Sequence, residues 1–177
     1  MFRKILVGLV AAAVLLAGVA YLLPRQIHVE RTITVERPAA DVYPLVASMH
    51  RFNEWSPWST LDPTMQLTYS GPDSGVGSKM AWSGNSKVGV GSDLIVAAIP
   101  NERVDVALQF GAQGPARSSF LLVPSSTGTG VTWTLDLDLG MNPIGRYFGL
   151  LMDRMIGSDY ERGLARLKAL AERAPTG

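Results

Sequence analysis

Apolar residues recur along this chain with different periods in different stretches, and each period predicts a different element. From Ile5 to Leu23, ILVGLVAAAVLLAGVAYLL, there is no alternation: 19 residues carry no charge and no strong breaker, enough for one helix across a bilayer. After Pro24 the period becomes two. In IHVERTITVE the apolar Ile27, Val29, Ile33 and Val35 alternate with His28, Glu30, Thr32 and Thr34, as in a half-buried strand, and Arg31 alone falls on the apolar parity. Pro38 then opens a short helix with Asp41 in its first turn and Val42, Leu45 and Val46 as its apolar side, and a further turn or two runs through Met49 to Trp55.

From Met65 the period of two returns. MQLTYS puts Met65, Leu67 and Tyr69 on one face, SKMAWS pairs Met80 with Trp82, and SDLIVAAI, RVDVALQF, ARSSFLLV and VTWTLDLDL follow, separated by Gly, Pro, Asn and Ser turns. With the first strand this makes about seven strands, antiparallel because the connections are too short for a crossover. The end of the chain changes period again. Asn142 and Pro143 are an N-cap and a first helical residue, and Phe148, Leu151, Met152, Met155, Ile156, Tyr160, Leu164 and Leu167 recur at three and four residues over one long helix. Gly145, Gly149, Gly157 and Gly163 weaken that helix, and a bend near Gly157 is expected. The fold class is therefore α+β: a curved antiparallel sheet whose apolar face is covered by the last helix, the one element long enough for the task. A sheet gripping a helix leaves a space between them, and that space is the natural ligand site.

Composition changes this picture in three ways. Setting aside Arg3 and Lys4 from the 16 basic residues leaves 14 against 15 acidic, a formal charge of −1 with the positive charges scattered, which excludes a nucleic-acid surface and a polybasic lipid patch. The absence of cysteine excludes a lipoprotein anchor and a disulfide framework, and with only His28 and His50 a zinc site lacks its usual ligands; no cofactor or metal is implied. Arg3 and Lys4 before the apolar stretch favour a cytoplasmic N-terminus, with everything after Pro24 exported, periplasmic in a bacterium. A cleavable signal sequence ending near Gly18-Val19-Ala20 is the competing reading, which gives an exported soluble form. Residues 1–24 are thus an anchor or signal, and residues 25–174 one domain.

The candidate chemistry is sparse. WSPWSTLDP spends Trp55 and Trp58 on a loop stiffened by Pro57, where they serve either as a lid on the cavity mouth or as a plug at the end of the core. Tyr69, Trp82, Phe110 and Trp133 complete an aromatic wall, and Phe148 and Met152 add to it from the last helix. Arg31, on an inward parity, either meets an anionic group of a ligand or snorkels to solvent at the sheet edge. Asp136 and Asp138 share one face of a strand, but it is the face opposite Trp133, Leu135 and Leu137, hence solvent. Parity places the Asp, Glu and His residues that can be assigned outside the cavity, so no catalytic group is expected there. The Gly75-Val76-Gly77 and Gly89-Val90-Gly91 turns lack the Lys-Ser/Thr of a phosphate loop, no Gly-x-Ser-x-Gly elbow is present, and the charges from Asp153 to Lys168 read as a solvated helix face.

WSPW…DP…YSGPDSGVGSKMAWSGN…VGVG, the strand VTWTLDLDL and the helix MDRMIGSDYERGLARLKAL resemble the polyketide cyclase/dehydrase and lipid-transport family of the START-like (SRPBCC, helix-grip) superfamily, over Ile27 to Glu172. The resemblance implies a helix-grip fold with an internal apolar cavity; it does not imply cyclase activity, because the family offers no invariant catalytic constellation to carry over. The expected function is membrane-tethered binding of a hydrophobic small molecule or lipid, since tethering raises the effective concentration of a ligand that partitions into the bilayer. Two alternatives stay open: a cyclase, dehydratase or hydrolase with Arg31 or Tyr69 polarising a carbonyl, and a protein-interaction module whose cavity is filled by Trp82, Trp133 and Met152. The lid reading further expects Trp55→Ala to weaken binding more than it lowers stability.

Overall fold

A computed structural model describes residues 2–111 and 114–173; Met1 and residue 174, which bound the expected anchor and domain, lie outside them. Helix α1 (Phe2–Ala20) is followed by strand β1 (Gln26–Val35), the short helices α2 (Ala39–Val46) and α3 (Met49–Trp55), and six further strands. These are β2 (Gln66–Ser70), β3 (Lys79–Ser83), β4 (Val90–Ile99), β5 (Arg103–Phe110), β6 (Gly114–Ser125) and β7 (Gly128–Asp138), and helix α4 (Pro143–Arg173) closes the chain. The seven strands form one antiparallel sheet in the order β1-β7-β6-β5-β4-β3-β2, so β1 and β2 are the two edges and α2 and α3 carry the chain from one to the other. This is the helix-grip architecture that the sequence pattern predicts.

Local chemistry accounts for the element ends. The Ser48 hydroxyl accepts from the Arg51 amide at the start of α3, and the Asn142 side chain accepts from the Gly145 amide at 3.0 Å at the start of α4. Asn101 turns the β4–β5 hairpin with φ 63°, a left-handed conformation that Asn tolerates. In β1 the odd positions face inward and the even ones face solvent, with Val29 and Val35 fully buried. In β7 Val131, Trp133 and Leu135 do the same, and Asp136 and Asp138 are exposed as their parity requires.

Helix α4 runs unbroken to Arg173, and its glycines mark where it approaches other elements rather than where it stops. A side chain at Gly149 would run into Ile27 and Leu139, one at Gly157 into the Arg31 guanidinium, and one at Gly163 into Trp133 and Pro57. The buried stripe of α4 therefore passes through Gly149, Gly157, Tyr160, Gly163, Leu164, Leu167 and Ala171. It lies chiefly on β1, at one edge of the sheet, and α2 and α3 help to cover the rest.

At its other end the domain meets α1, which is long and apolar enough to cross a membrane and is exposed along its length except at Ala17 and Ala20. Arg146, only 6% exposed, donates to the carbonyls of Gly140, Tyr21 and Leu23, and its guanidinium carbon lies 5.2 Å from the centroid of the Tyr21 ring. Tyr147 donates to the Leu16 carbonyl at 2.8 Å. The end of α1 is thereby tied to the first two turns of α4.

Because Cβ at position 163 would stand 2.8 Å from the Trp133 ring and 3.0 Å from Pro57, Gly163→Leu should overpack this contact and cost about 1–3 kcal/mol. Ala165→Leu, on the exposed side of the same helix, should stay within roughly 0.5 kcal/mol of the parent protein. Urea denaturation of both variants compares the two.

Candidate functional site

Between the concave face of the sheet, α3 and α4 lies a cavity of about 310 Å³. Its floor comes from inward positions of β3, β5, β6 and β7: Met80 and Trp82, Val106, Leu108 and Phe110, Phe120, and Trp133 and Leu135. Helix α3 contributes Met49 and Phe52, α4 contributes Ile156 and Tyr160, and Trp58 with the Ser86–Gly89 turn forms the rim. The cavity sits over the middle and far strands because α4 lies on the β1 side and does not fill that space.

Four of the candidate site residues meet here: Trp58, Trp82, Phe110 and Trp133. Trp133 is the centre, stacked on Tyr160 with ring centroids 3.7 Å apart and planes at 6°, and meeting Trp58 edge-on at 5.8 Å. Its indole N–H donates to Ser118 Oγ at 2.8 Å, and Ser118 donates onward to the Thr134 carbonyl at 2.7 Å. Trp58 donates to Asp159 at 3.2 Å and Trp82 to the Val88 carbonyl at 3.0 Å, so each ring is held by its one polar atom. Trp82 lies over Gly91, its partner on β4, where a side chain would displace the ring. Asp62 accepts from the Asn85 amide at 2.7 Å and ties the Trp58 loop to the rim turn; hydrogen bonds from the backbone of Asn85 and from Thr64 hold its carboxyl below the usual range.

The other five candidates stand elsewhere. Trp55 is fully buried behind the wall, its N–H on the Leu45 carbonyl at 3.0 Å and its ring edge-on to Trp133 at 5.4 Å, so it is the plug and not the lid. Tyr69 is one pleat beyond Leu67, past the cavity, where it stacks on His50 at 3.7 Å. Phe148 is 63% exposed and Met152 half-buried, because the glycines of α4 take the position against β1 and turn Phe148 outward. Arg31 does face inward, but α4 supplies its partners: Asp153 at 2.9 Å and Glu161 at 2.8 Å, with the Glu30 and Asp153 carbonyls completing the set. Its guanidinium holds the Asp153 carboxyl below the usual range, so part of the helix face read as merely solvated is a clamp.

The sequence reading misses a charged cavity residue. Asp93 shares the inward parity of Ile95 on β4, is 7% exposed, and lines the cavity with Oδ1 receiving no hydrogen bond. Burial pushes its pKa up to about 7. The expectation that every assignable carboxylate faces solvent is corrected here, and the signal was the alternation of SDLIVAAI itself. Tyr160, missed as a wall residue, has its hydroxyl pKa raised, first by burial and further by the negative charge of Asp93. Among the described residues no group of three or more His, Cys, Asp or Glu side chains is placed to hold a metal ion.

The profile of the polyketide cyclase/dehydrase and lipid-transport family matches residues 26–172, nearly the whole domain. The chain belongs to that family. No curated protein matches it, but solved structures of the same fold do. Protein CV1439 from Chromobacterium violaceum is 19% identical, with 86% of this chain and 100% of that one covered at a TM-score of 0.55. The di-domain ARO/CYC StfQ of the steffimycin biosynthetic pathway is 13% identical, with 83% of this chain and 51% of that one covered at a TM-score of 0.60. Ara h 8.0201 is 11% identical, with 84% and 99% covered at a TM-score of 0.60. At these identities the likeness shows the fold. Family and fold together fit a hydrophobic-ligand-binding or cyclase-like helix-grip domain.

The geometry changes what the tryptophans should do. Trp55→Ala removes a fully buried ring and should cost about 3–5 kcal/mol in chemical denaturation, whereas Trp58→Ala, at the half-buried rim, should cost clearly less. Asp93 carries a pH prediction. Its pKa is raised in the folded state, so the folded protein binds the proton more tightly, and the stability this contributes is lost as pH rises from about 4 to about 7. Asp93→Asn should therefore gain on the parent across that window and lead it at pH 8 by up to roughly 4 kcal/mol, as urea denaturation across the pH range would show. His28, raised by its hydrogen bond to Asp136, titrates in both proteins and cancels in the comparison.

Proposed function

We propose that this protein binds a hydrophobic small molecule or lipid in the cavity between sheet and α4 while tethered to a membrane by α1. The cavity carries the reading: a largely apolar space of about 310 Å³ lies at the low end of the usual range for small-molecule sites, about 300–1,000 Å³. Four aromatic rings pinned by hydrogen bonds or packing keep it from collapsing.

The tether is supported by a surface that a soluble domain would normally bury. Ile144, Phe148, Leu151 and Met155 form a helical stripe along the exposed side of α4, each between 53% and 67% exposed. No acidic residue interrupts α4 from Pro143 to Met152, and its first turns are joined to the end of α1 through Arg146 and Tyr147. An apolar stripe beside a membrane-length helix suits the acyl boundary of the same bilayer. The orientation that fits Arg3 and Lys4 puts the domain outside the cytoplasm.

A second reading, cyclase- or dehydratase-like chemistry on an apolar substrate, is favoured by one observation: Asp93 gives the cavity a titratable group with a shifted pKa. A recovered ligand that changes mass when held on the wild-type protein, but not on Asp93→Asn, would establish it.

The test of binding is native mass spectrometry of the full chain released from detergent, with organic extraction of what copurifies. A stoichiometric apolar passenger, absent from a Val106→Trp variant whose indole fills the cavity, is the expected result. A chain that carries nothing, even after incubation with a lipid extract, would overturn the proposal.

A further inference from the structure

The cavity wall is largely apolar, with Asn53, Ser56, Ser59, Ser86 and Lys87 among its polar residues and one buried carboxylate, Asp93. Asp93 of β4 lines it together with Tyr160 of α4, on which its charge acts, and with Ser118 of β6, which is hydrogen-bonded to Tyr160. Ser118 is already committed to Trp133 and the Thr134 carbonyl. Asp93 has no such commitment: its Oδ1 is buried without a hydrogen-bond donor, although buried carboxylates normally have partners. The titratable groups that share the cavity wall with it are Tyr160 and, at the rim in the β3–β4 turn, Lys87; no ion pair joins Lys87 to Asp93, and the shift of Asp93 is caused by burial alone.

We propose that the ligand is an apolar amine, its ammonium group pairing with the Asp93 carboxylate and its hydrocarbon body lying against Trp133, Trp82 and Leu108. This rests on the cavity-binding reading and narrows it to a chemical class. An ammonium supplies both things the site lacks, a donor for Oδ1 and a counter-charge. A ligand carboxylate or phosphate would instead meet like charge in a low-dielectric space.

The consequence is a coupled proton. With Asp93 poised near pH 7, amine binding requires its ionised form, so affinity should be full at pH 8 and fall by about tenfold per unit below pH 7. The Tyr160 hydroxyl, which burial moves further from neutrality, stays protonated throughout and leaves the profile to Asp93.

The experiment is calorimetric titration of the full chain in phosphatidylcholine nanodiscs against empty nanodiscs, with three probes of matched shape: naphthylmethylamine, naphthylmethanol and naphthoic acid. At pH 8 the amine should bind at least tenfold more tightly than the alcohol, and the acid more weakly than either. At pH 5 the amine's advantage should be gone. In Asp93→Asn the alcohol should still bind, which shows that the cavity persists, while the amine's advantage over it disappears. If the alcohol binds and the amine is no tighter, or the advantage survives Asp93→Asn, the amine proposal is overturned and the cavity reading stands. If none of the three binds, both fall.

Discussion

How closely α4 can lie on the edge of the sheet decides the rest of the domain. A helix of 31 residues with ordinary side chains would ride well clear of a strand. Here Gly149 and Gly157 remove the side chains that would meet Ile27 and Arg31, and Gly163 admits Trp133 and Pro57. Glycine inside a helix costs about 1 kcal/mol relative to alanine, so the close approach is obtained against local propensity. What holds the helix down is the tertiary contact. Arg31 rises from β1 beneath Gly157 and holds Asp153 on one side and Glu161 on the other, two turns apart on α4.

That placement also explains why a cavity exists. Because α4 lies over β1, it lines the cavity through Ile156 and Tyr160, and β3 to β5 are left for α3 and the Trp58 loop to cover. The aromatic residues divide accordingly. Trp55 closes the end of the core, while Phe52, with its ring centroid 4.9 Å from that of Trp55, and Trp133 are shared between core and cavity. Trp58 and Trp82 stand at the rim, where a ring can be half-buried and still have its N–H satisfied.

The architecture was legible because its signals are periodic. Alternation gave the strands, Asn142-Pro143 gave the start of α4, and the short connections required antiparallel pairing; each is a local property that tertiary structure did not override. The site was legible only where parity alone decides. Trp82, Phe110 and Trp133 are inward by alternation and line the cavity. Phe148 misled because the apolar stripe of α4 and its buried stripe differ: the glycines, which carry no hydrophobic signal, take the buried side. Tyr69 misled because parity says which face a residue takes and not how far along the strand the cavity extends. Trp55 and Trp58, three positions apart, both meet Trp133 edge-on, yet one is fully buried and the other stands at the rim, which no local pattern contains.

Arg31 and Asp93 sharpen the point, since in sequence they are the same observation: a charged residue on the inward parity of a strand, flanked by apolar neighbours. Arg31 is on the edge strand beneath a helix that carries carboxylates at the right height, and every part of its guanidinium finds an acceptor. Asp93 is on β4, its Oδ1 has no hydrogen-bond partner, and it faces a space instead. A buried carboxylate without a partner lowers stability above its shifted pKa, whereas a leucine at the same place would extend the apolar wall and raise it. The charge on β1 is thus accounted for by the fold, and the charge on β4 is not. A residue that the fold would be more stable without calls for an explanation outside the fold, and the proposed cationic ligand is one, since it would supply the donor and the counter-charge that the buried carboxylate lacks.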